Sequence, residues 1–113
     1  MMYMALIYAE DGYSENYDGD MMADYGAFTQ DAIAAGVFKA GDALHPVSTA
    51  SSVKNRDNKI QITDGPFAET KEQLGGYYLL DCKDLDEALH WAGKIPTAKY
   101  GTIEVRPVLV FDT

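Results

Sequence analysis

The sequence contains a single cysteine, Cys82, among its 113 residues. One cysteine cannot form an internal disulfide, and it has no second thiol with which to build a zinc or dithiol redox motif. The two histidines, His45 and His90, lie far apart in the chain and do not form a zinc-binding pair. We therefore expect no metal site, and we interpret Cys82 as a small hydrophobic residue at the end of a strand.

Long apolar runs are also absent, since no segment approaches the roughly 20 residues that a helix needs to cross a bilayer. The first residues, Met-Met-Tyr-Met, lack the basic stretch with which a secretory signal begins. These two features predict a protein that stays in the cytoplasm.

Basic residues are scarce and unevenly distributed: nine Lys and Arg stand against eighteen Asp and Glu, which gives a net charge of -9. No Lys or Arg precedes Lys39, whereas seven acidic residues do. Proteins bind nucleic acids and anionic membranes through clustered basic residues. The composition therefore disfavours both kinds of partner, and it favours a small-molecule ligand or a basic protein surface.

The length and the composition, with 47% hydrophobic and 24% charged residues, predict one globular domain spanning residues 1–113. A domain of this size buries only about two thirds of the surface that its unfolded chain exposes. Because an additional interface would add stability, we expect the chain to form a homodimer.

The hydrophobic pattern predicts a β-α-β unit, then a hairpin, then a second β-α-β unit. The predicted strands are residues 2–9, 37–44, 51–55, 59–63, 77–81 and 102–110, the last with Pro107 at an edge or a bulge. One helix is predicted between the N-cap Asp20 and Gly36, and a second between Asp84 and Pro96. The expected core-facing residues of the second helix are Leu85, Ala88, Leu89 and Ala92. Residues 10–20 are expected to form a solvated loop, and residues 64–76 a second loop.

This order is the split βαβ plan of an α+β protein with an inserted β-hairpin. It predicts an antiparallel sheet with both helices on one face. The first strand has apolar residues on both faces, so we expect the sheet of a second subunit to cover the other face. The alternatives are a closed eight-stranded arrangement and a different α+β order.

The segment DGPFAETKEQLGGYY, residues 64–78, resembles the signature of the DGPF-type proteins, a branch of the YCII-related family. The similarity extends to residues 1–8, 25–28, 35–37, 85–89, 95–96 and 104–107, so that nearly the whole chain except the acidic loop is covered. The resemblance implies a ferredoxin-like fold of the dimeric αβ-barrel group, in which two sheets pack face to face.

The same resemblance implies little about activity, because the DGPF-type branch has no agreed function. In YCII-like relatives, a histidine on the first helix and an aspartate have been proposed as an acid–base pair. Here Tyr25 occupies that helical region, so the pair is not carried over. DGPF-type domains are also encoded beside, or fused to, extracytoplasmic-function sigma factors, which implies a protein partner as an alternative.

The candidate catalytic residues are His45 and Asp64. His45 stands before Pro46 at the end of a predicted strand, and histidine is the side chain that exchanges protons near neutral pH. The alternative is a partly exposed loop histidine, and His90 is expected to face solvent. Asp64 opens the thirteen-residue loop 64–76, a length that is often functional, but it also has the chemistry of a turn residue.

The candidate ligand-binding residues are Tyr8, Tyr25, Glu69, Lys71, Tyr78 and Arg106. Tyrosines shape a cleft with their rings and anchor polar groups with their hydroxyls, and Tyr77 is a further candidate; core packing is the alternative. Glu69 and Lys71 orient a polar ligand or form a solvated surface pair. Arg106 is expected to clamp a carboxylate, or else to pair with Glu104 of a neighbouring subunit or with another acid.

Two functional hypotheses follow. The first is a cofactor-free enzyme that acts on a small metabolite bearing a carboxylate or carbonyl group, with a proton handled by His45 or Asp64 and charge held by Arg106 or Lys71. The second is a non-catalytic dimeric module that binds a ligand or a basic protein, such as a sigma factor, through the loop 64–76.

Overall fold

The computed structural model describes residues 1–111, and it follows the predicted order of elements. The strands are β1 Met2–Glu10, β2 Phe38–Ala43, β3 Ser51–Arg56, β4 Lys59–Asp64, β5 Glu72–Asp81 and β6 Thr102–Pro107, and the helices are α1 Met21–Ala34 and α2 Leu85–Ala92. Four strands form an antiparallel sheet in the order β2-β5-β1-β6, and β3 and β4 form a separate hairpin. This is the order of the split βαβ plan, so the predicted fold class is confirmed. Within residues 1–111, neither helix has the length and apolar character needed to cross a membrane.

Both helices pack on one face of the sheet, as predicted. Tyr3, Ala5 and Ile7 of β1 are buried and alternate with residues that are only partly buried. They belong to the same hydrophobic cluster as Phe28 of α1 and Ala88 of α2. The core therefore lies between this face and the two helices.

Short-range capping interactions fix the helix ends. The Asp20 side chain accepts a hydrogen bond from the backbone of the third residue of α1, and Gly36 after the helix has a φ of 75°. The Asp84 carboxylate accepts from the Glu87 N–H at 2.9 Å, and the Glu87 carboxylate accepts from the Lys83 N–H at 3.1 Å. The first bond is the N-cap bond, and the second resembles that of a capping box but comes from the residue before the N-cap; the predicted start of α2 at Asp84 is confirmed.

The predicted core-facing stripe of α2 is only half right. Ala88 and Ala92 are buried at 0% and 4% exposure, whereas Leu85 and Leu89 are 48% and 49% exposed. Trp91 packs against the core cluster instead. The small alanines let the helix approach the sheet closely, and this leaves the two leucines at the margin of the contact.

The prediction of a thirteen-residue loop at 64–76 is wrong, because β5 already begins at Glu72 and leaves only residues 65–71 between β4 and β5. The pair Gly75-Gly76, at the end of the predicted loop, lies inside the strand next to a register shift in its pairing with β1. A Cβ on Gly76 would lie 2.9 Å from the backbone oxygen of Asp42, so glycine permits close pairing with β2. The predicted strand 102–110 also ends early, at Pro107 on the edge strand β6.

The hairpin of β3 and β4 projects from the domain as an arm. Arg56, predicted in the turn, pairs with Lys59, which leaves a two-residue turn of Asp57 and Asn58 with φ of 53° and 63°. The Cα radius of gyration is 16.1 Å, whereas a compact domain of roughly 100 residues has about 13 Å. The molecule is accordingly broad and flat, with extents of 47 × 45 × 18 Å.

The sheet face opposite the helices carries an apolar stripe. Met4, Leu6 and Tyr8 of β1 alternate with the core residues, and Tyr77 and Leu79 of β5 are the register partners of Leu6 and Met4. These side chains remain partly exposed. We call this surface the open sheet face.

Cys82 follows β5 and is 2% exposed. Burial raises the pKa of its thiol, so the thiol stays protonated at neutral pH. The prediction of a small hydrophobic residue at a strand end is confirmed.

Candidate functional site: an aromatic cavity between α1 and the sheet

A cavity of about 580 Å³ opens where β1 and β2 end and β5 begins. Its walls come from these strands, from the loop after β1, from the first half of α1 and from the segment after β2. The volume lies within the range of roughly 300–1,000 Å³ that is typical of small-molecule sites. We call this space the α1 cavity.

Aromatic rings form the wall of the α1 cavity. The rings of Tyr25 and Tyr78 are nearly parallel, at 15°, with centroids 6.5 Å apart, and Phe28 packs 4.9 Å from Tyr78. A Cβ on Gly41 would lie 2.5 Å from the Tyr78 ring, so the ring rests directly on the glycine backbone of β2. The wall therefore depends on one side chain from the helix and one from the sheet.

Internal hydrogen bonds hold both tyrosines in place. The Thr97 hydroxyl, fully buried after α2, lies within hydrogen-bond distance of the hydroxyls of Tyr25 and Tyr13, the latter at 3.0 Å. The Thr29 hydroxyl lies 3.0 Å from that of Tyr78. Burial raises the pKa of Tyr25, so its hydroxyl stays protonated near neutral pH. A ligand in the cavity would therefore contact the tyrosine rings, because the hydroxyls are already engaged in hydrogen bonds within the protein.

The loop of residues 11–20 is exposed to solvent except at Tyr13 and Tyr17, which agrees with the predicted solvated loop, and tyrosine contacts anchor it beside the cavity. The ring of Tyr17 packs 4.9 Å from that of Tyr100, whose hydroxyl accepts a 2.8 Å hydrogen bond from the Asp18 N–H. The Tyr17 hydroxyl donates to Asp24 at 2.6 Å. Tyr13 lines the cavity. Two tyrosines in an acidic loop were the sequence feature that could have indicated packing.

His45 lies at the mouth of the α1 cavity, two residues after β2, and its side chain is exposed. The preceding residue, Leu44, donates its N–H to the Gly75 carbonyl at 2.9 Å, which ties this segment to β5. An exposed imidazole beside an apolar cavity can exchange protons both with a bound molecule and with solvent.

The charged lining residues of the α1 cavity are Glu10, Asp11 and Asp42, and within residues 1–111 no Lys or Arg lines it. Asp42 accepts a 2.9 Å hydrogen bond from the Tyr77 hydroxyl, and this bond raises the pKa of Tyr77. Glu10 pairs with Lys71 at 3.3 Å. Glu10 is thus neutralised by Lys71, and the Asp42 carboxylate is bound by a side chain of the open sheet face, so Asp11 is the acidic lining residue within residues 1–111 for which the structure shows no such partner.

Of the sequence-predicted site residues, the structure brings His45, Tyr25 and Tyr78 together around the α1 cavity. Asp64 ends β4 in the arm and is exposed, and neither it nor the exposed Glu69 lines the cavity. Lys71 reaches the rim only through its ion pair with Glu10.

Tyr8 and Arg106 belong to the open sheet face. Tyr8 alternates with the buried residues of β1, and Arg106 is the register partner of Met4. The Arg106 side chain lies 4.0 Å from Glu104 of the same chain. Neither residue is near enough to line the α1 cavity.

Several lining or supporting residues were missed, namely Tyr13, Thr29, Thr97 and Met21. Their roles arise from contacts between segments distant in the sequence, and no local pattern marks them. Within residues 1–111, no group of three or more His, Cys, Asp or Glu side chains is arranged to hold a metal ion.

Comparisons with known proteins agree with this architecture. The profile of the YCII-related domain matches residues 1–112. An uncharacterised protein of Rhizobium meliloti (strain 1021) is 36% identical over 117 residues, covering 98% of this chain and 94% of that protein. The solved structure of 5-chloro-2-hydroxyhydroquinone dehydrochlorinase from Burkholderia phenoliruptrix AC1100, in complex with 2,5-dihydroxybenzoquinone, matches with a TM-score of 0.58 at 13% identity, covering 96% of this chain and 94% of that one. At this identity the likeness concerns the fold alone, and it supports the ferredoxin-like α+β architecture.

Proposed function

This chain belongs to the YCII-related family, and we propose that it binds a small molecule with a flat, apolar body in the α1 cavity and transfers a proton on it without a cofactor. The observation that carries the proposal is the cavity of about 580 Å³ with a tyrosine wall fixed by internal hydrogen bonds. A wall that is ordered before binding loses little conformational freedom when a ligand enters. On residues 64–67, Asp-Gly-Pro-Phe, we assign the chain to the DGPF-type branch.

His45 is the proposed general acid–base. It lies at the mouth, where it can take a proton from a carbon or oxygen beside a carbonyl group and return it to another atom of the same molecule. The bonding electrons then rearrange within the ligand, and no cofactor is consumed. Tyr25 is less suited to this task, because burial raises its pKa and Thr97 engages its hydroxyl.

A ring-shaped ligand is supported by the parallel rings of Tyr25 and Tyr78, since aromatic rings pack favourably against flat partners. The dehydrochlorinase of similar fold was solved with a benzoquinone, which supports a ring compound by analogy of fold only.

A thermal-shift screen against a metabolite library tests the binding site. A ligand at about 100 times its dissociation constant adds about 2.7 kcal/mol, which raises the melting temperature of a domain this size by roughly ten degrees. Ala43→Phe, on an exposed lining residue, should fill the cavity and abolish the shift. Ala35→Phe, at the exposed end of α1 outside the lining, should retain it. Hits that survive Ala43→Phe would refute the cavity as the site.

Turnover of a confirmed hit tests the role of His45. His45→Gln should lower kcat by roughly 10²–10⁴ while the hit still binds, because general acid–base catalysis contributes about that factor. His90→Gln, on the exposed surface of α2, is the matched control and should leave kcat unchanged. Equal kcat for the two variants would remove His45 from the mechanism.

The second candidate function is a protein-binding module that uses the segment 65–71. Phe67 in this segment is 87% exposed, and large exposed aromatic side chains are typical of contact surfaces. The resemblance to DGPF-type proteins offers an extracytoplasmic-function sigma factor as the partner. Phe67→Ser should abolish its binding to a purified sigma factor encoded beside the gene, whereas Phe111→Ser, also on an exposed phenylalanine, should not.

We also propose that the chain forms a homodimer through the open sheet face. Met4, Leu6 and Leu79 form an apolar stripe that a second sheet would bury, and Glu104 and Arg106 flank it on β6. Burial of such a stripe stabilises association by roughly 25 cal/mol for each Å² removed from water.

A further inference from the structure

Apart from His45, the lining residues of the α1 cavity that can carry a charge at neutral pH are all acidic. Within residues 1–111 no Lys or Arg lines the cavity, whereas three acidic residues do: Asp11, Glu10, which is paired with Lys71, and Asp42, which is bound by the Tyr77 hydroxyl. The loop that forms one side of the cavity adds Glu15, Asp18 and Asp20, and it contains no basic residue. The first basic residue in the chain is Lys39. A ligand entering the cavity therefore experiences a negative potential from several directions.

The two basic residues that the sequence suggested as charge clamps do not line the cavity. Lys71 is paired with Glu10 at 3.3 Å, and Arg106 lies beside Glu104 on the open sheet face. A carboxylate or phosphate in the cavity would lose its hydration next to acidic groups without gaining a cationic partner, which is costly. The carboxylate-bearing substrate predicted from the sequence thus finds no clamp in this cavity.

The aromatic wall favours the opposite charge. Tyrosine rings carry negative charge on their faces, and a cation within about 6 Å of a ring centroid is attracted by it. Tyr25 and Tyr78 present such rings beside the acidic mouth. An ammonium group on an apolar body would meet rings, carboxylates and a negative potential at once.

We propose that the α1 cavity takes a cationic amine, an ammonium carried on a flat apolar or aromatic body, in preference to its uncharged and carboxylate analogues. The inference rests on the proposed function, because it names the ligand class of the same cavity. The ammonium lies between the tyrosine rings and Asp11 at the mouth, and the apolar body extends along the rest of the tyrosine wall.

Matched ligands of different charge test this proposal by calorimetric titration of the full chain. Three aromatic bodies are compared, and each carries an ammonium, a hydroxyl or a carboxylate. The phenyl set is phenethylamine, phenethyl alcohol and hydrocinnamate. The phenol set is tyramine, tyrosol and phloretate, and the indole set is tryptamine, tryptophol and indolepropionate. Within at least one body, the amine should bind roughly fivefold or more tightly than the alcohol, and the carboxylate more weakly than both, as expected for charges separated by a few ångströms near a protein surface.

Charge-neutralising variants test which acidic residue causes the preference for the amine. Asp11→Asn should weaken binding of the amine by roughly threefold to tenfold and leave the alcohol unchanged. Asp31→Asn removes the same charge from the exposed surface of α1, outside the lining, and should leave the amine affinity unchanged. An equal effect of both variants would attribute the preference to net charge and overturn the local site.

The outcomes separate this proposal from the proposed function. If, for every body that binds, the alcohol or the carboxylate binds as tightly as the amine and Ala43→Phe abolishes this binding, the amine preference is overturned and the cavity remains a site. If no compound of any body binds, or if binding persists in Ala43→Phe, both proposals are overturned.

Discussion

Thr97 has no solvent exposure, and its hydroxyl serves two tyrosines from different segments, Tyr13 and Tyr25. Thr97→Val keeps the shape of the side chain and leaves two tyrosine hydroxyls without this partner. We expect a loss of about 1–3 kcal/mol in the free energy of unfolding, measured by urea denaturation, because unpaired polar groups are costly when buried. Thr63→Val on the exposed strand β4 should change it by less than about 0.5 kcal/mol. Equal losses would show that the hydrogen bonds at Thr97 contribute nothing specific.

Tyr17 makes stability sensitive to alkaline pH. Its hydrogen bond to Asp24 raises the pKa of the hydroxyl above the ordinary value of 10.0. Because the pKa is higher in the folded than in the unfolded chain, the stabilisation is fully present below pH 10 and is lost as the pH rises towards the folded value.

Two variants test this pH dependence. Tyr17→Phe and Asp24→Asn should each be less stable than the natural chain at about pH 8, and the difference should shrink by about pH 11, where the unfolded chain gains by ionising the hydroxyl. Urea denaturation across this range measures the difference. A difference that stays constant with pH would contradict the assigned cause.

At the scale of elements, the close approach of β2 and β5 positions the aromatic wall. A methyl group on Gly41 would lie 2.5 Å from the Tyr78 ring, so Gly41→Ala must displace that ring. We expect a loss of about 1–3 kcal/mol in the free energy of unfolding, as for other overpacked sites, together with weaker ligand binding. Gly26→Ala on α1, where a methyl group would meet no atom within 4 Å, is the control and should preserve both properties. Unaltered ligand affinity in Gly41→Ala would mean that Tyr78 does not contribute to the site.

The elements that the sequence predicts well are those with local determinants. Asp20 and Asp84 cap their helices, and the alternation in β1 marks a strand with one face in the core. The start of β5 was missed because Gly75 and Gly76 look like a turn until their pairing with β1 and β2 is known. The strands with which β5 pairs are set by tertiary structure, and the local sequence pattern does not identify them.

The candidate site, too, could be predicted from the sequence only in part. His45, Tyr25 and Tyr78 were singled out by residue type and position, and the structure places them around one cavity, while their roles remain predictions. Thr97 and Tyr13 could not be found in this way, since their hydrogen bond joins residues that are 84 positions apart. The position of Arg106 outside the cavity likewise depends on strand register, which pairs it with Met4.

At the scale of the whole molecule, the flat shape leaves the open sheet face available to a second copy. Leu6→Lys would place a charge in the proposed interface and should weaken dimerisation by at least roughly tenfold, because burial of an unpaired charge is strongly unfavourable. Sedimentation equilibrium measures this change. Ile33→Lys, on an exposed apolar residue of α1, should leave it unchanged. A natural chain that sediments as a monomer would contradict the dimer, as would a dimer that Leu6→Lys leaves intact.

The central claim is that the α1 cavity is a small-molecule site, and two-dimensional NMR titrations with each of the nine matched compounds test it most directly. We predict that the amide signals of Tyr25, Thr29, Gly41 and Tyr78 shift in a saturable manner, while those of the projecting arm, residues 51–64, do not. Shifts confined to the arm or to the open sheet face, or no saturable shift at all, would contradict the claim.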